Sequence, residues 1–563
     1  MMTTDASEKQ IDALIAQMTP EEKVGQVFLL AFSGSRTDEA RRLFVDYGIG
    51  ASYISSDNIP TPQAAAALSR TLQGFAAQTR LRLPLLLGAD QEGSWGVMVP
   101  HSATGPGNMA LGACADPAVT EAMYGVIARE LRAVGLNMLF APCADCNSNP
   151  ANVCIGMRSF GEPPALVGAL TAAAVRGVRQ AGVVATVKHF PGHGDTATDS
   201  HRGIPRVERD RAALQAIDLL PFAQGIAAGA EVVMTSHILF PALDPNQPAT
   251  LSRIILQDVL RGQLGFDGVV LSDSMNMQAI RRNYALAEAE IAALQAGVDL
   301  IMLAEEHYNH DAARYLEQQT AMLDRVAEAV RTGVIAAERI DDAVRRVLRL
   351  KVGLGSAQDE AARARSPEIV GSAEHRAVEL RAARESVAVL RGADRFAPLS
   401  ANAPFALVNT TARAAYAPID KTRGIGPSQS TPAFDLFVQA LQARTATFTL
   451  LTAEEVLAGA LPPLGVPVVA VTENYPLPGM DFDQHTQAPV IQRLAQAAPG
   501  RLTVVALRDP YELVALPAEI VYVCAFSFRS CAAQAAAEVM LGERMPAGHS
   551  PVSVPGTEVR ARG

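Results

Sequence analysis

The 563-residue sequence has no apolar run long enough to cross a bilayer. Its best, residues 27–32, is flanked by Glu and Lys before it and by Ser, Arg and Asp after it. Nor is there a basic block: 48 Lys and Arg stand against 58 Asp and Glu, a net charge of −10. That argues against nucleic acid or an anionic membrane surface as the main partner. The first ten residues, MMTTDASEKQ, lack the basic start and apolar stretch of a secretory signal, which fits a cytoplasmic protein, with export by a removed signal left open. Cysteine is sparse. Of the six, Cys143 and Cys146 have a C-x-x-C spacing, but no second pair follows, so we expect buried thiols and no metal site. There is one tryptophan, Trp95.

Hydrophobic residues, by contrast, make up 49% of the chain and charged residues 19%, enough for a large buried core. Eight short, nearly continuous apolar runs lie in the first two-thirds, at 25–31, 49–54, 83–89, 136–141, 183–188, 231–236, 268–272 and 299–303. Parallel strands buried on both faces have this pattern. Helical segments such as 116–134, 164–181 and 285–296 separate them, the first opening on Asp116-Pro117, an N-cap followed by proline. Eight βα units in series predict an α/β protein with a (β/α)8 TIM-type barrel over 1–352. A polar, small-residue stretch suggests a linker over 353–380. Six further strand-like runs, at 386–390, 405–408, 446–451, 466–472, 502–507 and 520–526, predict a smaller αβα layered sandwich over 381–563.

In a barrel the chemistry sits at the carboxyl ends of the strands. The third run leads into Asp90-Gln91-Glu92-Gly93. The fourth leads to Asp145 and then to Arg158, the fifth to Lys188, His189, His193, Asp199 and His201, the sixth to His237, and the seventh to Asp273. Asp199 and His201 are one residue apart, so in an extended segment they share a face. A carboxylate beside an imidazole fixes its tautomer and favours its charged form, which suits a general acid that later acts as base. Asp273, next to a small Ser272 and near Met275 and Met277, suits a nucleophile. Together they follow the two-step retaining logic of glycoside hydrolysis, with histidine in place of the second carboxylate. Other readings stay open at this level. Asp273 could cap a helix, Asp199 and His201 could be a structural loop pair, and Lys188 could form an ion pair within the barrel. The three loop histidines match no zinc spacing. Trp95 could stack on a sugar or fill a loop. His307-x-x-His310 reads as solvated loop, and Gly424-Ile-Gly426 is too short to define a phosphate loop.

The segment KHFPGHGDTATDSH, residues 188–201, resembles glycoside hydrolase family 3, in particular its β-N-acetylglucosaminidase branch. GNMALGA (107–113), FAPCADCNSNPAN (140–152), GMRSFGE (156–162) and GVVLSDSMNMQAI (268–280) support the resemblance, which covers roughly residues 10–355. The ending GERMPAGHSPVSVP resembles that of two-domain members. The resemblance implies Asp273 as nucleophile and His201, positioned by Asp199, as acid/base. It implies Asp90, Arg158, Lys188 and His189 as the group holding the terminal sugar, with no metal or organic cofactor. Charge-assisted hydrogen bonds from such groups suit sugar hydroxyls. One departure stands out. The family often carries an arginine after DQEGG and a second eight residues beyond the Asp, and this chain has Trp95 and Met98 there.

The expected activity is thus that of a retaining exo-β-N-acetylglucosaminidase on a small saccharide, muropeptides first and chitin oligosaccharides second, with no nucleic-acid or membrane partner. A β-N-acetylglucosaminide phosphorylase is the alternative within enzymes, since a neutral histidine does not repel phosphate as a carboxylate would. A non-catalytic sugar-binding protein is the alternative outside them. The oligomeric state and the role of the second domain are left open by the sequence.

Overall fold

In the computed structural model, the described residues run from 5 to 562, except 35, 94–95, 153, 198–203, 286, 305–311, 355–359, 361–365, 401, 418–428, 445–446 and 476–486. Asp199, His201, Trp95, His307, His310 and Gly424–Gly426 therefore lie outside the described residues.

Eight short strands, β1 (Phe28–Leu30), β2 (Ala51–Tyr53), β3 (Leu86–Ala89), β4 (Met138–Leu139), β5 (Val184–Phe190), β6 (Val232–Thr235), β7 (Val269–Leu271) and β8 (Ile301–Leu303), pair in parallel in the order β7-β6-β5-β4-β3-β2-β1-β8. A parallel bridge between Leu271 and Leu300 joins the two ends, so the sheet closes on itself. Every residue of β1 to β8 is buried, the result of helices outside and side chains filling the inside. Phe140 and Tyr53 stack within the barrel with centroids 5.8 Å apart. A Cβ at Gly88 would lie 2.3 Å from the Phe140 ring, so only glycine leaves room there. The helix Pro117–Ala133 starts as its sequence predicts, with the Asp116 side chain accepting from the Ala118 N–H and proline at the first turn.

The second sheet has six strands: β9 (Ala388–Arg391), β10 (Phe405–Asn409), β11 (Phe448–Leu451), β12 (Val468–Glu473), β13 (Leu502–Leu507) and β14 (Val521–Cys524). Their order is β11-β10-β12-β13-β14-β9, parallel except for β9, which runs antiparallel to β14 at the edge. Part of the stretch expected as a linker is ordered: a helix, Ala373–Ser386, begins inside it. Composition hides the reason. Glu360 is fully buried in a pair with Arg132, and Glu379 accepts from the Thr104 and Gly105 N–H groups. That helix packs on both Asn108–Cys114 and Ser530–Met540, and Met109, Ala110 and Ala113 join the core of the second sheet.

The two units meet at their functional ends. Arg529, which follows β14, donates to the carbonyl of Gly93, which follows β3. Tyr511, which follows β13, accepts from Asn147, which follows β4. The carboxyl edge of the second sheet thus abuts loops at the carboxyl mouth of the barrel.

Candidate active site

Polar groups from six barrel strands, most of them buried, converge on that mouth. Lys188, on β5, donates to Asp90 Oδ1 at 2.6 Å and pairs with Glu92 Oε1 at 2.5 Å. Tyr53, at the end of β2, donates to the other Asp90 oxygen at 3.0 Å. Arg158, in a short 3-10 helix (Gly156–Arg158), forks onto Glu92 with Nε at 2.9 Å and Nη2 at 3.0 Å. Glu92 is 1% exposed. Burial pushes its carboxyl up, but Arg158 and Lys188 outweigh burial and hold it well below the usual carboxylate range. Burial opposes the Lys188 charge, but Asp90 and Glu92 more than restore it, so the ammonium is held more firmly than in water.

His189 has one plausible proton arrangement. Its Nδ1 lies 2.9 Å from Asp145 Oδ2, and its Nε2 lies 3.4 Å from Arg158 Nη2. Burial drives the imidazole well below its usual pKa, and the Arg158 charge adds to this. It is neutral, with Nδ1–H donating to Asp145 and Nε2 left to accept. Asp145 also accepts from the backbone N–H of His193 at 2.7 Å. Burial pushes the Asp145 carboxyl up to about 6, against the pull of His193 and its N–H donors. The His193 ring bonds to Thr196 at 2.8 Å, and Asn152 donates to the His193 carbonyl at 2.7 Å. The loop that leads toward 198–203 is thereby fastened as far as Thr196. Farther along, Arg209 grips Asp218 through Nη1 at 2.7 Å and Asp195 through Nη2 at 3.1 Å.

Asp273 stands apart from these pairs. It follows β7, and among the described residues it accepts one hydrogen bond, from the Ser274 N–H at 2.7 Å, and forms no ion pair. Helix capping is not its role, because the next helix, Gln278–Arg281, has Met277 at its N-cap. Burial pushes its carboxyl up. His237, His189, the Ser274 N–H and Lys188 pull it further the other way, and it ends below the ordinary range. His237 is itself fixed, with Nε2 3.0 Å from the Ser274 carbonyl and Nδ1 2.9 Å from Thr250. The result is an ionised, partly buried carboxylate with lone pairs to spare.

The four expected sugar-holding residues, Asp90, Arg158, Lys188 and His189, are therefore one hydrogen-bonded group, with Asp273 in the field of two of its members. Of the expected acid/base pair, the described residues show only the loop base. Sequence reasoning assigned no role to Glu92, Asp145 or Tyr53. The available signal was the strand-end rule joined to charge balance: two buried cations require carboxylates beyond Asp90. Cys143, Asp145 and His189 offer three potential metal-ligating atoms within 4.8 Å of one another. Their environment does not suit a cation. Arg158 and Lys188 are adjacent, Asp145 and His189 are engaged with each other, and burial keeps the Cys143 thiol protonated. Cys146 bonds instead to the Ile217 carbonyl, and none of the six cysteines is joined in a disulfide.

Residues 19–350 match the model of the glycosyl hydrolase family 3 N-terminal domain. The chain is 34% identical over 383 residues to a beta-hexosaminidase A from Pseudoalteromonas piscicida, across 65% of this chain and 63% of that protein, a little under two-thirds of the relative's length. It is 36% identical over 293 residues to a beta-hexosaminidase from Alkalilimnicola ehrlichii, across 51% of this chain and 81% of that one. Among solved structures it is similar to a glycoside hydrolase family 3 beta-N-acetylglucosaminidase from Paenibacillus sp. str. FPU-7. The identity is 34% and the TM-score 0.82, covering 96% of this chain and 100% of the other. A barrel whose strand ends gather these carboxylates and cations, joined to a second sheet in the same two-unit arrangement, leads to one assignment: this chain belongs to glycosyl hydrolase family 3.

Proposed function

We propose that this protein is a retaining exo-β-N-acetylglucosaminidase that removes a terminal β-linked N-acetylglucosamine from a small saccharide. Peptidoglycan-derived muropeptides are the first substrate class and chitin oligosaccharides the second. The observation that carries the reading is Asp273: an ionised carboxylate at a strand end, unpaired among the described residues, beside a neutral histidine and a lysine. Such a group can attack an anomeric carbon, whereas the carboxylates of Asp90 and Glu92 are occupied by cations.

In the first step an Asp273 oxygen bonds to the anomeric carbon as the bond from that carbon to the aglycone oxygen breaks. His201 gives its proton to the departing oxygen. In the second step His201 takes a proton from water, the water oxygen bonds to the anomeric carbon, and Asp273 is released. Asp199 orients His201 and stabilises its charged form. Asp90, Lys188, Arg158 and His189 hold the sugar hydroxyls, with the accepting and donating edges already oriented before substrate arrives. The roles of Asp199 and His201 rest on the 188–201 signature.

The test compares an aryl β-N-acetylglucosaminide with the matching β-glucoside, using wild type and Asp273→Ala, with and without phosphate. Release from the N-acetyl substrate alone, lost by a factor of about 10⁴ or more in the variant, is expected. A sugar phosphate product would replace hydrolysis by phosphorolysis. Substantial turnover by Asp273→Ala would remove the nucleophile assignment, and sugar binding without turnover would leave a binding protein.

A further inference from the structure

The second domain sends one guanidinium into the loop that carries Glu92. Arg529 follows β14 and is buried, 7% exposed. Its Nε donates to the Gly93 carbonyl at 2.5 Å, and its guanidinium lies 5.0 Å from the centre of the Phe528 ring. Among the described residues it forms no ion pair, and its Nη2 is buried without a hydrogen-bond partner. Burial is the main influence on it, and pushes it down to about 10. A buried cation without a carboxylate partner and with an unmet donor is costly, so its retention calls for a role.

What depends on it is the path of the chain at Gly93. That residue has φ +80°, and a Cβ there would lie 2.8 Å from the Thr104 carbonyl oxygen, so the chain is pressed between the barrel and Arg529. On the return strand of the same loop, the Gln91 side chain accepts from the Met98 N–H at 2.8 Å. The loop is thus pinned at its base from within the barrel and at Gly93 from the second domain. The residue between those pins is Glu92, whose two oxygens set the positions of Lys188 and Arg158. The guanidinium that meets the loop from the second domain comes from 436 residues away in sequence.

We infer that Arg529 is a positioning residue of the sugar-binding group, acting through Gly93 on Glu92, and that the second domain thereby sets the affinity of a site built in the barrel. The inference rests on the assignment of Lys188 and Arg158 as sugar-holding groups. Both act on the sugar before and during reaction, so displacing them weakens ground and transition states alike and raises KM more than it lowers kcat.

The experiment uses the full chain, with Arg529→Met and Arg529→Lys. Kinetics on the aryl β-N-acetylglucosaminide are paired with hydrogen exchange of the peptides spanning 91–98 and 184–190. For Arg529→Met, KM should rise about tenfold, the loss of a charge-assisted hydrogen bond, with kcat within about threefold. Exchange should quicken in 91–98 and not in 184–190. Arg529→Lys, which keeps the charge and one donor but not the planar fork, should fall between wild type and Met in both readouts. A folded Arg529→Met protein with wild-type KM and wild-type exchange in 91–98 would overturn the inference. Should that variant not fold, an intermediate Arg529→Lys supports it and a wild-type Arg529→Lys overturns it. If wild type itself does not turn over the substrate, the proposed activity fails while exchange in 91–98 still decides the role of Arg529.

Discussion

Glu92→Gln is the sharpest test of how the site is held together. The substitution keeps the shape of the side chain and removes its charge. Three charge-assisted contacts change, Lys188 Nζ at 2.5 Å and Arg158 Nε and Nη2 at 2.9 and 3.0 Å, together with a weak one from the Cys143 thiol at 3.5 Å. Lys188 keeps Asp90 at 2.6 Å, and Arg158 keeps the Cys154 carbonyl at 3.1 Å. Removing one partner of a buried ion pair costs roughly 3–5 kcal/mol. Because the glutamine retains an acceptor and Lys188 retains a carboxylate, we expect the lower end, about 3 kcal/mol. Urea denaturation followed by circular dichroism should show the barrel transition about 1 M lower, taking a slope near 3 kcal/mol per M. The deficit should be flat in pH. A carboxylate depressed in the folded state contributes stability above its unfolded pKa and loses it only as pH falls through the folded value. For Glu92 that value is well below 4.5, so no titration occurs between about pH 5 and 8. The same variant should lose kcat/KM by about tenfold or more, because both sugar-facing cations lose their shared anchor. A variant with the wild-type midpoint and kcat/KM within about twofold would show that Glu92 does not organise the group.

Two further outcomes follow from other parts of the molecule. Lys351 is buried at the base of the barrel and among the described residues donates to two neutral acceptors, Gln26 Oε1 at 2.7 Å and the Gly50 carbonyl at 2.8 Å, and burial pushes it down to about 7. Between that value and the unfolded value of about 10.5 the unfolded chain binds the extra proton, so stability should rise with pH across this window, by as much as roughly 4 kcal/mol; urea midpoints from pH 6 to 10 that stay level in wild type, or slope equally in Lys351→Met, would refute this. His201→Ala should slow glycosides with poor leaving groups at least about a hundredfold more than activated aryl glycosides, the mark of a lost acid; equal losses on both would remove that role.

The barrel was legible because its strands are buried on both faces. Seven of the eight apolar runs contain the observed strand, the fifth run, 183–188, stops two residues short of the end of β5 at Phe190, and the second sheet's six runs all overlap theirs. The boundaries fared less well where side chains enter the ladder. At β4, Asn137 bonds through its amide to the Leu87 N–H and the Leu85 carbonyl, and the regular strand shrinks to Met138–Leu139. The ordered part of the expected linker was hidden for a related reason. Its small polar residues look like solvent-facing chain until Arg132 buries Glu360 and the 104–105 backbone captures Glu379, contacts across 228 and 275 residues. In the site, strand-end position pointed to Asp90, Lys188, His189 and Asp273 without further help. It could not separate Glu92 from Gln91 or give Asp145 a task, since those depend on which buried cation or imidazole each one faces. Arg529 had no signal in the sequence, being an arginine at the start of an alanine-rich helix with its target in another domain.

The charge arrangement explains why the site needs so many carboxylates. Four of them, Asp90, Glu92, Asp145 and Asp273, share the mouth with two permanent cations, Lys188 and Arg158. If all four competed evenly for those cations, none would be free and fully ionised. The structure instead concentrates both cations on Glu92 and shares one of them with Asp90, while Asp145 is matched to a neutral imidazole and backbone N–H groups. Among the described residues Asp273 is left with a single N–H and the longer-range pull of His237, His189 and, last, Lys188. At separations beyond direct contact that field still favours the charged form without occupying the attacking oxygen. A lysine in direct contact with Asp273 would favour ionisation more strongly and block the chemistry. The burial of Glu92 between Lys188 and Arg158 is therefore the condition for an ionised, partly buried Asp273 with an open oxygen, and this is why Glu92→Gln should reach beyond binding: with their shared anchor neutralised, Lys188 is held by Asp90 alone and can turn toward Asp273 and quench the nucleophile.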